Sequence, residues 1–223
     1  MASVEAPAIP SEGAEGLTAG GRLPRSFYAR PATAVAPDLL GHVLVRSLPS
    51  LGRLTARIVE TEAYEPDDPA SHSFRGRTPR NATMFGPPGR LYVYFTYGMH
   101  FCMNVVTGDA GHASAVLLRA GQPLEGIEEM SRRRGRRLIT ELCSGPARWC
   151  QAFDVDRGLD DEDLVRGTMV WIERAGSPGA VVSGPRVGVR LGGDRDWRFH
   201  VPGDPYVSKR RPTTDRPVRR SRP

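Results

Sequence analysis

Residues 90–106 decide the fold and read Arg-Leu-Tyr-Val-Tyr-Phe-Thr-Tyr-Gly-Met-His-Phe-Cys-Met-Asn-Val-Val. The first half alternates apolar residues with tyrosine or threonine, and this period of two is typical of a β-strand. Tyr97 and Gly98 interrupt the alternation, and residues 100–106 resume it. The stretch therefore predicts a β-hairpin with Tyr97 at its tip.

The rest of the chain predicts short strands and a few helices around this hairpin. Apolar and β-branched runs indicate strands at 43–45, 56–64, 115–119, 169–173, 186–191 and 197–201. One short helix is expected to end at 38–40, a second to begin at Pro123, and a third to run from a Ser144 cap and Pro146 to Phe153. This order predicts an α+β fold, a single domain with a mixed, mainly antiparallel curved β-sheet flanked by helices and with the hairpin protruding.

Residues 65–90 separate two of the predicted strands and contain five prolines and several glycines. Proline removes a backbone donor and fixes φ, so a long regular element is excluded there. A connection of this length is expected to be an ordered or functional loop. It also carries four arginines with no acid between Ser71 and Arg90, namely Arg75, Arg77, Arg80 and Arg90.

The net charge of +6 is concentrated at one end of the chain. Residues 208–223 contain seven basic residues and one acid, which accounts for the whole excess, so the remaining 207 residues sum to zero. The isoelectric point near 9.7 therefore reflects a Pro/Arg tail and does not by itself indicate a basic binding face. This tail and the Ala/Gly/Glu/Pro-rich residues 1–20 are predicted to be disordered, which leaves 21–207 as the folded domain.

Several classes of protein and site are not indicated. No apolar run approaches the length of a membrane span, and the first ten residues lack the features of a secretory signal. The three cysteines fit neither a zinc site nor a disulfide framework, so we expect a protein of the reducing cytoplasm without a structural metal, and no motif of another cofactor is seen. The acids of 154–163 lack the order of an EF-hand, which favours a solvated loop over a calcium site.

Glu60, Glu62 and Tyr64 are candidate functional residues because alternate side chains of a strand share one face. Two such carboxylates either lie in solvent at a strand edge or receive separate tasks from a buried environment. Taken alone, the pattern favours the solvated edge. His72, in the proline-rich loop, is by itself more typical of a packing residue than of a catalyst.

The predicted hairpin combines aromatic side chains with the arginines of the preceding loop. Such a combination suits nucleic acid, because guanidinium groups contact phosphates and rings stack on bases. The alternative is that Tyr92 and Tyr94 form one wall of the core. That alternative is weak for Tyr97, since an exposed aromatic residue at a hairpin tip suits a wedge that enters a duplex from the minor groove. The arginines of 132–137 fit phosphate contacts and a solvated helix end about equally well.

Five separated blocks of the chain, in order from about residue 23 to 208, resemble the alkyladenine family of 3-methyladenine DNA glycosylases. The blocks are Arg-Ile-Val-Glu-Thr-Glu-Ala-Tyr at 57–64, Thr-Pro-Arg-Asn at 78–81, the hairpin sequence at 91–104, Val-Leu-Leu-Arg-Ala at 116–120 and Leu-Cys-Ser-Gly-Pro at 142–146. The resemblance implies excision of damaged purines, of the 3-methyladenine, 7-methylguanine, hypoxanthine and ethenoadenine class, from double-stranded DNA. It implies a monomer that needs no cofactor or metal, does not bind a membrane and is associated with the nucleoid in the cytoplasm.

The resemblance also implies roles for individual residues. Glu62 corresponds to the general base and Arg119 to the arginine that holds the attacking water. The pocket for the extruded base corresponds to Tyr64, His72, Tyr94 and Asn104, of which Asn104 disfavours guanine. The DNA contacts correspond to the intercalating Tyr97 and to Met84, Met99, Arg77, Arg80 and His100, where relatives carry tyrosine at position 100.

Lys209, in the tail, is the only lysine of the chain. Glycosylases that also cut the DNA backbone form a Schiff base with an amine, so we expect a monofunctional enzyme that leaves an abasic site. Two alternatives remain open. A non-catalytic nucleic-acid binding module would not need Glu62 facing a polyanion, and a hydrolase of small nucleosides would not need the Tyr97 wedge.

Overall fold

Strand β2 (Gly52–Tyr64) organises the sheet. The computed structural model describes residues 20–189 and 191–208 and the backbone of 216–217. One edge of β2 pairs with β5 (Ser114–Glu125). Its other edge pairs first with β1 (Val43–Leu48) and then, near Glu62, with β8 (Arg198–His200). Its 13 residues are long enough to serve both partners.

The remaining strands extend the sheet on either side. Strands β3 (Leu91–Thr96) and β4 (His100–Thr107) form the predicted hairpin, and β4 continues the sheet from β5. Strand β6 (Val170–Glu173) pairs with β1, β7 (Val182–Gly184) with β8, and β9 (Arg216–Pro217) with β7. The described strands all pair antiparallel and curl into a half-barrel, which confirms the predicted α+β fold with its mainly antiparallel, curved sheet.

Within the described ranges, four short α-helices cover the sheet: α1 (Arg25–Tyr28), α2 (Ala32–Leu39), α3 (Ile127–Arg134) and α4 (Pro146–Phe153). The end of α2 confirms the helix predicted to end at 38–40. Pro146 is the first residue of α4 as predicted, but Gly145 and not Ser144 occupies the cap.

Two predicted elements are wrong. Pro123 does not begin a helix, since it lies in β5 opposite Ala56, and α3 starts only after Gly126, whose φ is +75°. The described residues of 186–191 contain no strand. Arg186 is instead buried in an ion pair with Asp68, and Gly188 has a φ of +76°, which is incompatible with an extended strand.

The core lies between the sheet and the helices, and its largest fully buried side chain is Trp149 of α4. The Trp149 ring covers Gly121, where a Cβ would lie 2.7 Å from the ring. Glycine at this position therefore lets α4 approach β5 two residues beyond Arg119. Because interiors are closely packed, this contact fixes the part of β5 that carries the arginine.

Residues 65–90 form an ordered loop, as predicted. Asn81, 2% exposed, organises it by donating from Nδ2 to the carbonyl oxygens of His72 (2.8 Å) and Gly76 (3.0 Å). Ser73 Oγ donates to the carbonyl oxygen of Ala113 at 2.8 Å and ties the loop to the sheet. The loop therefore holds His72 in a defined place.

The acids of 154–163 support the fold, so the solvated-loop interpretation is wrong for two of them. Asp160 accepts hydrogen bonds from the Val93 amide and from Thr83 Oγ1, both at 2.9 Å. Asp163 pairs with Arg25 at 2.7 Å. These bonds attach the segment to β3, to the loop before β3 and to α1. No group of three metal-binding side chains occurs in the described part of the chain.

Two predictions concern residues largely outside the described ranges. Outside the described ranges lie 1–19, 209–215 and 218–223, which belong to the segments predicted to be disordered. Lys209 lies outside the described ranges as well. No helix within the described ranges is long and apolar enough to cross a membrane.

Candidate active site

Two irregularities in the β2–β5 pairing direct the central acidic and basic side chains toward one another. Ile58 pairs with Gly121, Glu60 with Ala120 and Thr61 with Leu118, so the register skips Val59 on one strand and Arg119 on the other. Bulges of this kind kink a strand and redirect its side chains. Arg119 consequently extends between Glu60 and Glu62.

Glu62 is fully buried and receives hydrogen bonds from two different elements. Its Oε1 accepts from the Val187 amide at 2.6 Å and lies 3.4 Å from Arg119 Nη1, while its Oε2 accepts from Tyr64 Oη at 2.9 Å. The partners are all donors, so the carboxylate serves as an acceptor. The solvated-edge interpretation is therefore wrong, and Glu60 and Glu62 share Arg119 but differ in their other partners.

A cleft of about 590 Å³ opens over Glu62. Its size lies within the range of small-molecule sites. Eight of the residues predicted to be functional line it: Glu62, Tyr64, His72, Met84, Tyr94, Tyr97, Asn104 and Arg119. Cys102, Leu117, Pro146 and the 187–189 segment are among the other residues that line it.

Aromatic side chains form one wall of this cleft. The rings of His72 and Tyr94 meet edge to face at 4.4 Å, and Tyr94 stacks on Tyr92 at 5.5 Å. His72 Nδ1 lies 3.0 Å from Tyr92 Oη, and Asn104 Nδ2 donates to the Tyr92 carbonyl oxygen at 3.2 Å. Tyr92 thus holds two of the predicted pocket residues.

The aromatic wall is uncharged at neutral pH. Burial, together with the adjacent Glu62 carboxylate, raises the pKa of Tyr64 well above its usual value. Desolvation by surrounding atoms and, secondarily, the Arg80 guanidinium lower the pKa of His72, although its ring is accessible from the open cleft. The His72 imidazole therefore adds no positive charge against a flat, electron-poor ring that enters the cleft.

The hairpin tip projects apolar side chains at the mouth of the cleft. Tyr97 (φ +51°) and Gly98 (φ +68°) are both left-handed, and the Met99 amide donates to the Thr96 carbonyl oxygen at 3.3 Å. These are features of a type I′ turn, whose twist matches that of the flanking strands. Tyr97 is 85% and Met99 70% exposed, as expected for a surface that meets a partner.

The other predicted DNA-contacting residues are distributed differently. Arg77, Arg80 and His100 are exposed and, like Met99, do not line the cleft. Arg80 Nη2 donates to the Phe95 carbonyl oxygen at 2.8 Å, which joins the 65–90 loop to the hairpin. Met84 is only 2% exposed and belongs to the inner wall of the cleft.

The arginines in the last turn of α3 are partly occupied by acids. Arg132 and Arg133 both pair with Glu129, and Arg133 also pairs with Asp154. These contacts favour the helix-end interpretation for both arginines.

Sequence reasoning missed Arg186 and Arg198. Arg186 bonds the carbonyl oxygens of Ala63 and Gly192 and lies 4.6 Å from the Tyr64 ring, and Arg198 Nε donates to Glu60 at 2.6 Å. Each arginine bonds an acid more than one hundred residues away in sequence, so no local pattern indicated it.

Comparison with known proteins agrees with this geometry. The family described as methylpurine-DNA glycosylase (MPG) matches residues 26–205. The "Putative 3-methyladenine DNA glycosylase" of Streptomyces avermitilis is 51% identical over 207 residues, which cover 87% of this chain and 94% of that protein. The DNA-3-methyladenine glycosylase of Mus musculus is 47% identical over 206 residues, which cover 84% of this chain and 61% of the mouse protein. The chain therefore belongs to the methylpurine-DNA glycosylase family.

Proposed function

We propose that this chain is a DNA-3-methyladenine glycosylase of base excision repair. It extrudes a damaged purine from double-stranded DNA, hydrolyses the N-glycosidic bond and leaves an abasic site. The observation that carries the proposal is Glu62, a buried carboxylate that lines an aromatic cleft beside Arg119. Family membership supports the same activity.

Recognition of the lesion rests on the aromatic wall. A base inside a duplex cannot be reached, so it must be extruded at a cost of a few kcal/mol, which is least for damaged or mispaired bases. Stacking on Tyr64, His72 and Tyr94 returns about 1–3 kcal/mol per base. Cation–π attraction favours an alkylated purine that carries positive charge, and the neutral His72 does not oppose it.

Tyr97 stabilises the extruded state from the mouth of the cleft. Its exposed ring at the hairpin tip suits insertion into the space that the base vacates. Met99 and His100 beside it, with Arg77 and Arg80 on the adjacent loop, are placed to meet the duplex and its phosphates. Met84, on the inner wall, suits contact with the extruded base instead.

Hydrolysis uses Glu62 as the general base. The carboxylate takes a proton from a water molecule as the water oxygen bonds to C1′, and the bond from C1′ to the purine nitrogen breaks with its electron pair going to the base. Arg119 helps hold the water and the carboxylate. General-base assistance contributes roughly 10²–10⁴-fold. Cationic 3-methyladenine departs as a neutral base, whereas hypoxanthine needs protonation as it leaves.

Asn104 contributes to selectivity. Its Nδ2 is fixed by the bond to the Tyr92 carbonyl oxygen, so the amide cannot turn away from an entering base. The exocyclic amine of guanine would be crowded against it. Normal guanine is therefore disfavoured by a side chain that is already held.

The reaction stops at the abasic site. Cleavage of the backbone through a Schiff base needs an amine, and the only side-chain amine of the chain is that of Lys209 in the tail. A borohydride-trapped adduct with DNA that disappears when Lys209 is replaced would contradict this.

The decisive experiment uses duplexes that bear a single hypoxanthine or ethenoadenine. Wild type is expected to release the base. Glu62→Gln is expected to bind the duplex and to release the base at least roughly 10²-fold more slowly. Glu65→Gln is the matched control, since Glu65 bonds His112 and the Thr33 amide and does not line the cleft. Release by Glu62→Gln at the wild-type rate would refute the mechanism, and absence of release by wild type would refute the activity.

A further inference from the structure

Glu60 lies behind the proposed base and is fully buried, yet it does not line the cleft. Its carboxylate collects three donors from three parts of the chain. Oε1 accepts from Arg119 Nε at 3.0 Å and from Arg198 Nε at 2.6 Å, and Oε2 accepts from the Ser208 amide at 2.8 Å. These bonds join β2 to β5, to β8 and to the residue that precedes the basic tail.

This arrangement divides the Arg119 guanidinium between two acids. Its Nε bonds Glu60 at 3.0 Å, and its Nη1 lies 3.4 Å from Glu62. Guanidinium groups readily bind one carboxylate through two parallel bonds. Glu60 occupies the Nε donor, so Arg119 cannot engage Glu62 through Nε and an Nη together.

The charge of Glu60 also balances the charges of the buried cluster. Two acids and two arginines meet in this buried cluster, so their charges cancel. Burial tends to raise the pKa of Glu60, but the opposite charges of Arg119 and Arg198 outweigh it and hold that pKa below its usual value. Glu60 therefore stays ionised at neutral pH and opposes both arginines.

We propose that Glu60 is a positioning residue that anchors Arg119 through Nε, so that Arg119 meets Glu62 through one Nη only and Glu62 stays free to accept a proton from water. The inference rests on the proposed function, because it assigns Glu60 an effect on the step that Glu62 performs. Without Glu60, Arg119 would turn to Glu62 and pair with it through two donors. Glu62 would then be a weaker general base, and the water molecule that it activates would be displaced.

The test separates the chemical step from DNA binding. Glu60→Gln keeps the shape of the side chain and removes its charge. We expect the single-turnover rate of hypoxanthine release to fall roughly tenfold to a hundredfold, as for a small misplacement of a reacting group, while the Kd for a duplex with a tetrahydrofuran abasic analogue changes less than about twofold. Glu65→Gln is again the control and is expected to keep the wild-type rate.

Two further variants distinguish positioning from a general structural effect. If Glu60 acts through Arg119, then Glu60→Gln in an Arg119→Gln background lowers the rate no further. Glu60→Gln with Arg198→Gln removes one charge of each sign and tests the same effect without an uncompensated buried cation. The inference would be overturned if folded Glu60→Gln released the base at the wild-type rate. It would also be overturned if Glu60→Gln lowered the rate by the same factor with and without Arg119. Release by wild type in the same assay tests the proposed function separately.

Discussion

Arg186 and Asp68 form an ion pair in which both side chains are fully buried, and the Arg186 guanidinium also lies 4.6 Å from the Tyr64 ring. The pair connects the loop that carries His72 with the segment whose Val187 amide bonds Glu62. Removing one partner leaves an uncompensated buried charge, which typically costs about 3–5 kcal/mol. We therefore expect Asp68→Asn to lower the free energy of unfolding by about that much, measured by urea denaturation.

The neighbouring pair between Arg195 and Asp67 provides the matched control. It joins the same two segments but is solvent-accessible, with 26% and 74% of the two side chains exposed. Exposed pairs contribute only about 0–1 kcal/mol, so Asp67→Asn should be nearly neutral. Equal losses for the two variants would contradict the account of the buried pair.

Tyr97→Ala should weaken recognition of the lesion without unfolding the protein, because Tyr97 is 85% exposed. Loss of one stacked ring corresponds to about 1–3 kcal/mol, so we expect roughly tenfold weaker binding of a hypoxanthine duplex, with slower single-turnover release. Leu138→Ala is the control, since Leu138 is 56% exposed and does not line the cleft. Unchanged binding by Tyr97→Ala would exclude the wedge.

Local patterns predicted the hairpin and β2 because alternation along a strand is a property of neighbouring residues. The site depends on relations that have no local pattern. Arg119 reaches both acids where the register skips a residue, and Arg198 meets Glu60 from a strand 138 residues away. The residues around Pro123 predict the start of a helix. The pairing of Pro123 with Ala56, which extends β5, leaves no sign in the local sequence.

The protonation of His72 should respond to Arg80. Desolvation and the Arg80 charge lower its pKa from 6.5, so the folded protein binds this proton less readily than the unfolded chain. This contribution destabilises the fold as pH falls through about 6.5. Arg80→Gln should raise the pKa part of the way back, as followed by NMR titration of the imidazole. Arg77→Gln, on the same exposed loop, should not, and an equal shift in both variants would contradict the assignment.

The basic tail should act on DNA search and not on chemistry. Each tail cation that contacts a phosphate adds about −0.9 to the slope of log affinity against log salt. Deleting residues 209–223 should therefore flatten the salt dependence of DNA binding and leave the single-turnover rate nearly unchanged. A large loss in that rate would make the tail part of the site.

Ser208, immediately before that deletion, should behave differently because its amide bonds Glu60 at 2.8 Å. Ser208→Pro removes this donor to a buried carboxylate, and hydrogen bonds to charged groups contribute about 1.5–3 kcal/mol. We expect the free energy of unfolding to fall by about that amount and the single-turnover rate to fall with it. Ser208→Ala is the control, since it removes the side-chain hydroxyl and keeps the backbone amide that bonds Glu60. If alanine lowers the rate as much as proline, the amide of Ser208 does not support Glu60.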